Sequence, residues 1–132
     1  HLDVDGFSAL NEQCDESVGD RVLQVVASIL QTEIKRAAEL VARYDNDDFL
    51  ILLPGTELDR ALDLAERCIQ RIAEETFSSI GDALTVPVTA SAGVATIEPS
   101  REKHYQDLFI EAEEMLTSAR HQGGNRASGV EV

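Results

Sequence analysis

The sequence predicts an α+β fold in which helices pack on a mostly antiparallel sheet. Three segments carry apolar residues at the three- and four-residue spacing of an amphipathic helix, and the runs between them are rich in the residues typical of strands. Two of these runs flank a short polar turn and therefore predict a β-hairpin. With 132 residues, the chain is long enough for one domain with a buried core.

The first half of the chain predicts a strand, a helix and the hairpin. Residues 2–5 alternate apolar and acidic side chains, as a strand does. A helix is predicted from Gly19-Asp20 to about Ile34, because one face collects the apolar residues Val22, Val25, Val26, Ile29 and Leu30. The hairpin strands are predicted near 39–44 and 48–53, and Pro54-Gly55 ends the second strand.

The second half predicts a helix, a strand, a helix and a short last strand. Thr56 is predicted to cap a helix over about 58–77, since Asp59 follows three residues later. Residues 86–97 predict a strand in which Gly93 marks a bulge or a close approach. A helix over roughly 105–121 ends before Gly123-Gly124, and residues 130–132 predict an edge strand. The helices at 58–77 and 105–121 are expected to form the core.

The charge of the chain limits its partners. A formal net charge of −14 argues against nucleic acid and against anionic membrane surfaces, which are bound through Lys and Arg. A nucleotide remains compatible, because Mg²⁺ and a few local cations can neutralise its phosphates. No apolar run reaches membrane-spanning length and no secretory pattern opens the chain. We therefore expect a cytoplasmic domain with reduced Cys14 and Cys68.

An acidic turn stands between the two hairpin strands. Asp45, Asp47 and Asp48 crowd three carboxylates into four positions, and such crowding is often relieved by a bound cation. A solvated acidic turn is the alternative. An EF-hand is excluded because Phe49 and Ile51 occupy ligand positions. The histidines form no ligand pattern and are expected at the surface: His1, His104 and His121.

Several motifs together resemble the GGDEF domain family, the diguanylate cyclases that condense two GTP molecules into cyclic di-GMP. The family's Asp-x-Asp-x-Phe-Lys-x-Ile-Asn-Asp and Gly-Asp-x-x-Leu motifs are matched by residues 3–12 and 19–23. Its signature Arg-Tyr-Gly-Gly-Asp-Glu-Phe is matched by Arg43-Tyr44-Asp45-Asn46-Asp47-Asp48-Phe49. Its Thr-x-Ser-x-Gly-Val and Ala-Lys-x-x-Gly-Arg-Asn motifs are matched by residues 89–94 and 119–125.

The resemblance implies the architecture and the partners. The expected fold is a five-stranded sheet with surrounding helices, akin to the palm of nucleotidyl cyclases. Residues 1–132 are expected to form a single GGDEF-like domain without the family's N-terminal helix and the start of its first strand, hence a fragment. Attached sensor or phosphodiesterase domains and an antiparallel homodimer are implied by the same resemblance, as is GTP or cyclic di-GMP as the ligand.

The resemblance also implies a metal and catalytic site. The family's Mg²⁺ ligands correspond to the Asp3 carboxylate, the Val4 carbonyl oxygen and the Asp47 carboxylate. Asp47 and Asp48 are the implied catalytic residues, and Asp48 is one methylene shorter than the family's Glu. Hard oxygen ligands suit a metal that polarises an α-phosphate for attack by a 3′-hydroxyl. Solvated acids at the strand ends are the alternative for Asp3 and Asp48.

Guanine recognition is implied at Asn11 and Asp20, which stand at the family's Asn and Gly-Asp positions. An amide and a carboxylate can pair with the edges of guanine. The alternative for Asp20 is a helix N-cap after Gly19. The family's inhibitory Arg-x-x-Asp site corresponds to Arg36 and Glu39, for which a solvated connector is the alternative.

Departures from the family pattern concentrate where phosphates would bind. Asp45 and Asn46 replace the two signature glycines, which let phosphates and ribose lie against the backbone. Both residue types tolerate positive φ, so the tight turn is expected to survive. Ser8 and Gly124 replace a Lys and an Arg, while Arg120 keeps the charge of the closing Lys.

These departures predict a degenerate, poorly active or inactive cyclase that binds GTP or cyclic di-GMP. An active diguanylate cyclase and a scaffold without nucleotide are the alternatives.

Overall fold

The fold is a five-stranded sheet with helices on both faces, seen in a computed structural model that describes residues 1–77 and 87–132. The sheet order is β2-β3-β1-β4-β5. The strands are β1 (Leu2–Val4), β2 (Leu40–Arg43), β3 (Asp48–Leu52), β4 (Ala90–Thr96) and β5 (Ala127–Glu131). The helices are α1 (Phe7–Gln13), α2 (Glu16–Glu33), α3 (Leu58–Glu74) and α4 (Tyr105–His121). The predicted α+β class and the mostly antiparallel sheet are confirmed.

The short strand β1 occupies the centre of the sheet. It pairs antiparallel with β3 on one side and with β4 on the other, whereas β4 and β5 are parallel. Because side chains alternate across a strand, Leu2 and Val4 point to one face and Asp3 points to the other. This alternation sets the core and the acidic site on opposite faces of the sheet.

The main core lies between the sheet and helices α2 and α3. Leu2, Val4 and Phe49 from the sheet join apolar side chains of both helices there. The fully buried members on α2 and α3 include Val22, Val26, Leu30, Cys68 and Ile72. The apolar stripe predicted for α2 is therefore buried, with Val25 only partly so. The prediction that the helices at 58–77 and 105–121 form the core is confirmed for α3, but it omitted α2, and among the described residues α4 contributes none to this core cluster.

Helix α4 covers the opposite face at close range. A Cβ added at Gly93 would lie 1.9 Å from the carbonyl oxygen of Ala112 and 2.3 Å from the backbone nitrogen of Leu116. Only a glycine lets the helix approach β4 so closely, which bears out the close approach predicted there. The buried residues of this helix are Leu116 and Ala119.

Several element boundaries differ from the sequence-based expectation. Helix α1 was not predicted, because its seven residues carry too few apolar side chains for a helical pattern. The predicted cap Thr56 is wrong: Glu57 precedes α3, and the Thr56 hydroxyl donates to Pro54 O at 3.3 Å. Strand β4 begins at Ala90 rather than at Val86, which lies outside the described residues.

The bounds predicted for the last helix are confirmed, whereas those predicted for the last strand are too short. Helix α4 has the predicted bounds, and Gly123 and Gly124 adopt positive φ after it. Strand β5 spans residues 127–131 and is longer than expected. Within the described part of the chain, no helix has the length and apolar character needed to cross a bilayer.

Candidate functional site

Three carboxylates meet where β1 and β3 lie side by side. Asp3 pairs in register with Asp48, and Asp47 precedes Asp48 at the end of the hairpin turn. One carboxylate oxygen from each of Asp3, Asp47 and Asp48 lies within 4.8 Å of the other two. These three residues form the acidic cluster. The sequence placed them in two distant motifs, and the strand register brings them together.

The acidic cluster fits a divalent cation. Asp3 is 5% exposed, and among the described residues its Oδ1 has no hydrogen-bond partner. A buried carboxylate oxygen without a partner is costly unless a cation or water takes it. The predicted ligand Val4 adjoins the cluster, and its N–H donates to the carbonyl oxygen of Asp47 at 3.4 Å. The donor set is all oxygen, which is what Mg²⁺ prefers.

The neighbouring acids change the ionisation of Asp47. Partial burial, followed by the negative charge of Asp48, raises the pKa of Asp47 above its ordinary 3.8. Asp45 adds to this effect, and Arg43 opposes it. The raised pKa therefore reflects first the lost hydration of the Asp47 carboxylate and second the like charges beside it, and a bound cation would oppose both.

Arg120 supplies positive charge to the acidic cluster. It lies in the last turn of α4, and its Nη2 forms an ion pair with Oδ2 of Asp3. The Asp3 side chain is 7% exposed and that of Arg120 is 44% exposed. Burial lowers the pKa of Arg120 from its ordinary value, and arginine as a residue type keeps its charge in proteins. The residue predicted to bind phosphate is therefore at the site.

His1 lies beside Asp48 and within a small aromatic group. Its side chain is 3% exposed, with Nε2 3.2 Å from Asp48 Oδ2. The ring stacks on Phe109 at 5.9 Å and meets Tyr44 edge-on at 6.1 Å between centroids. The surface position expected for His1 is wrong, whereas His104 and His121 are exposed. Backbone hydrogen bonds with Gly93 hold residue 1 against the sheet. The sequence did not reveal this, because a single residue before a strand shows no periodicity.

The hairpin tip carries the two substituted glycine positions. Oδ1 of Asp45 accepts a hydrogen bond from the backbone N–H of Asn46 at 2.8 Å, and Arg43 Nη2 donates to the Asn46 carbonyl oxygen at 2.6 Å. Tyr44 N–H donates to Asp48 O at 3.0 Å and closes the turn. Neither Asp45 nor Asn46 has positive φ. The tight turn forms as predicted, but neither residue adopts the positive φ that was expected to allow it.

The guanine-recognition candidates lie on the first two helices. Asn11 is on α1, and its Oδ1 lies against Gly19 so closely that an added Cβ there would be 2.0 Å away. Among the described residues this buried oxygen has no hydrogen-bond partner. Asp20, directly after Gly19, is exposed on α2. Asp20 does not cap the helix, because α2 already begins at Glu16.

The inhibitory-site candidates form a compact turn between α2 and β2. Arg36 N–H donates to Glu39 Oε2 at 3.0 Å, and its Nε lies 3.8 Å from Oε1 of the same carboxylate. The Glu39 side chain is 8% exposed while that of Arg36 is 48% exposed. The Glu39 carboxylate is thus buried and hydrogen-bonded within the turn, whereas the Arg36 side chain remains accessible to a ligand.

A cleft opens beside the acidic cluster, between the sheet and α4. Its volume is about 530 Å³, and it is lined by His1, by Asp48 and by residues of α4 that include Glu113, Thr117 and Arg120. A cleft of this size is in the range of small-molecule sites.

Asp5 lies within the first motif, residues 3–12, and no role was predicted for it. Its Oδ2 accepts hydrogen bonds from Thr89 Oγ1 at 2.9 Å and from the Asn125 N–H at 3.0 Å. Its Oδ1 accepts one from Ser91 Oγ at 2.8 Å. The Thr and Ser of the later Thr-x-Ser motif could have indicated this role of Asp5, because buried hydroxyl groups need a hydrogen-bond partner.

A family model described as "Diguanylate cyclase, GGDEF domain" matches residues 1–126. Among curated relatives, the chain is 32% identical over 125 residues to the diguanylate cyclase DgcP of Pseudomonas aeruginosa and 34% identical over 125 residues to DgcM of Escherichia coli K12. These alignments cover 95% of this chain but only 18% and 28% of the two relatives, so the chain spans less than a third of their length.

Solved structures of diguanylate cyclases share the fold of this chain. The active GGEEF domain of a diguanylate cyclase from Vibrio cholerae superposes with a TM-score of 0.84 at 27% identity, over 97% of this chain and 78% of that one. The diguanylate cyclase SiaD of P. aeruginosa, solved with its activator SiaC, gives 0.82 at 29% identity over 99% of this chain and 48% of that one.

Proposed function

The chain belongs to the GGDEF domain family, and on that premise we propose that it is a signalling domain of the cyclic di-GMP network that binds GTP or cyclic di-GMP but condenses GTP slowly or not at all. The proposal joins two properties of the site. The acidic cluster is suited to a nucleotide-bound metal, and the hairpin tip is unsuited to the phosphates that the metal would hold.

The observation that carries this proposal is the hydrogen bond from Asn46 N–H to Asp45 Oδ1. A backbone N–H at a glycine-rich turn is a ready donor to phosphate oxygens. Here that donor already has a carboxylate acceptor, which also brings a negative charge. Two like charges about 4 Å apart repel by about 4 kcal/mol at an effective dielectric constant of 20. Asp45 therefore weakens triphosphate binding in two ways, by occupying the N–H donor and by repelling the phosphate charge.

Two missing cations support the same conclusion. Ser8 is exposed on α1 where the family has Lys. Gly124 stands where the family has Arg, and its φ of +70° lies in the left-handed region that side-chain-bearing residues rarely adopt. Each charge-assisted hydrogen bond contributes about 1.5–3 kcal/mol, so losing two weakens triphosphate binding substantially.

The remaining residues retain the means to bind a nucleotide. Asp3, Asp47, Asp48 and the Val4 carbonyl would hold Mg²⁺, which would polarise the α-phosphate of GTP. Asn11 and Asp20 would pair with guanine, and Arg120 would neutralise phosphate charge. Arg36, exposed beside Glu39, would bind a phosphate of cyclic di-GMP at the inhibitory position.

The test is incubation of the purified protein with radiolabelled GTP and Mg²⁺, following both bound nucleotide and cyclic di-GMP. We expect binding with at most trace product. The variant Asp45→Gly/Asn46→Gly should bind GTP at least about tenfold more tightly, since a tenfold change requires only about 1.4 kcal/mol of the repulsion at Asp45 to be removed. Asp3→Asn serves as the control in which metal-dependent binding is lost. Steady turnover by the wild type would overturn the proposal.

An active diguanylate cyclase is the second candidate, and the convergence of Asp3, Asp47 and Asp48 to within 4.8 Å favours it. Product formation in the same assay would establish it. Binding of neither GTP nor cyclic di-GMP at high micromolar concentration would leave a scaffold without nucleotide. Attached sensor or phosphodiesterase domains, a homodimer and a cytoplasmic location complete the proposal for the longer protein.

A further inference from the structure

We propose that Arg120 exchanges partners: it neutralises Asp3 while no cation occupies the acidic cluster, and it turns to the phosphates of the nucleotide once a divalent cation takes Asp3. The nucleotide half of this inference rests on the proposed function. The metal half concerns the protein alone and is measured without nucleotide. Arg120 thereby weakens the binding of the metal alone and strengthens the binding of the nucleotide.

The first step is the charge of the cluster without a cation. Three carboxylates within 4.8 Å of one another include Asp3, whose side chain is 7% exposed. A buried ionised carboxylate requires a counter-charge or it becomes protonated. Arg120 is the cation that pairs with Asp3, through Nη2 and Oδ2. Its guanidinium therefore does in the empty site what a metal would do.

The second step is that Arg120 is free to leave. Its side chain is 44% exposed, and it lines the cleft of about 530 Å³ beside the cluster. A long arginine side chain in the last turn of a helix can move its head group by rotamer changes without moving the backbone. The same guanidinium therefore reaches either Asp3 or a ligand in the cleft.

The third step is competition. A divalent cation on Asp3 and a guanidinium on the same carboxylate repel each other, so the two do not share it without cost. Arg120 consequently weakens the binding of a metal that arrives alone. A phosphate brought with the metal gives Arg120 a new partner, because guanidinium and phosphate form strong charge-assisted hydrogen bonds. Metal and nucleotide are then bound cooperatively.

The metal half is tested with Mn²⁺ as the probe, measured without nucleotide by the electron paramagnetic resonance signal of free Mn²⁺. The variant Arg120→Met keeps much of the aliphatic stem and removes the charge, and we expect it to bind Mn²⁺ about tenfold more tightly. Arg126→Met is the matched control, since the Arg126 Nε donates to Gly124 O in the next loop, and its affinity should change less than about twofold. Arg120→Lys should resemble the wild type. Unchanged or weaker Mn²⁺ binding by Arg120→Met overturns the proposal.

The nucleotide half uses α,β-methylene GTP, which resists cleavage at the bond that condensation breaks, in saturating Mn²⁺. We expect Arg120→Met to bind it about tenfold more weakly, the reverse of its effect on the metal. If the wild type binds no nucleotide, the proposed function fails while the Mn²⁺ result still decides the exchange at Asp3. If Arg120→Met does not fold, nuclear magnetic resonance of the wild type decides instead. When samples without Mn²⁺ are titrated with Mg²⁺, the ¹⁵Nε resonance of Arg120 should shift. A resonance that does not move overturns the exchange.

Discussion

Asp5 accepts a hydrogen bond from the backbone N–H of Asn125, which lies 120 residues further along the chain, at 3.0 Å. Asn125 has a φ of +51° and ends a run of three left-handed residues that begins at Gly123. The N–H groups of Gly123 and Gly124 bond back to α4, and the N–H of Asn125 bonds to Asp5. One carboxylate at the end of β1 therefore fixes the chain that follows Arg120.

Replacing Asp5 by Ala is expected to lower the free energy of unfolding by about 2–4 kcal/mol. The change leaves the hydroxyls of Thr89 and Ser91 and the Asn125 N–H without their acceptor, and each lost charge-assisted bond costs about 1.5–3 kcal/mol before water compensates. Urea denaturation measures the effect. Asp63→Ala, at an exposed position of α3, is the control and should change stability by less than about 0.5 kcal/mol. Equal effects of the two variants would contradict this role of Asp5.

Gly93→Ala should lower the free energy of unfolding by about 3 kcal/mol. The new Cβ would lie 1.9 Å from the Ala112 carbonyl oxygen, and because the obstacle is backbone, α4 must move away from β4. Thermal denaturation checks this. Gly55→Ala is the matched control: its φ is +63° and nothing lies within 4 Å of its added Cβ, so it should cost about 1 kcal/mol from backbone strain alone. If Gly93→Ala costs no more than Gly55→Ala, the packing explanation is wrong.

The raised pKa of Asp47 gives the stability a defined pH dependence. Because the folded pKa lies above the ordinary 3.8, the contribution of Asp47 is fully present below that pH and is lost as pH rises through the folded pKa. Asp47→Asn, which cannot ionise, should therefore gain stability relative to the wild type across that interval. Chemical denaturation of both proteins without divalent cations, from about pH 3 to pH 7, measures the difference. A difference that is constant with pH would exclude this effect.

Cys68 should be inert to thiol reagents while the protein is folded. Its side chain is fully buried, and burial together with the charge of Glu33 raises its pKa to about 11. The reactive thiolate is then about a thousandth of the population at pH 8. Mass spectrometry after iodoacetamide treatment should find position 68 modified only in denaturant. Native labelling of Cys68 at the rate of a small free thiol would show that α3 opens or that the burial is wrong.

The hairpin and α4 were predictable because local pattern and local structure agree there. The acidic turn flanked by Leu-Val-Ala and Leu-Ile-Leu specifies two strands, and the apolar spacing before Gly123 specifies the helix. The family motifs also predicted Asp3, Asp47 and Asp48 as one site. Their proximity follows from the pairing of β1 with β3.

What escaped prediction depends on contacts between distant segments. The ion pair of Asp3 with Arg120 requires α4 to lie across the sheet, and no spacing within either motif encodes that distance. The burial of His1 likewise depends on Tyr44 and Phe109, from two other elements. The turn at Asp45 and Asn46 shows a different limit. Residue types that tolerate positive φ did not adopt it, since a hydrogen bond from Arg43 to the Asn46 carbonyl stabilises the observed turn.

The central position of β1 has a consequence for synthesis on the ribosome. Strand β1 is translated before its two neighbours, and its pairing with β4 awaits Ala90, Ser91 and Ala92. At about 5–20 residues per second, on the order of ten seconds pass before that edge of β1 can be covered. During this interval one edge of β1 lacks its partner strand, and an open strand edge is the kind of segment that chaperones protect. The nascent chain can therefore pair both edges of β1 only after Ala90, Ser91 and Ala92 have been synthesised.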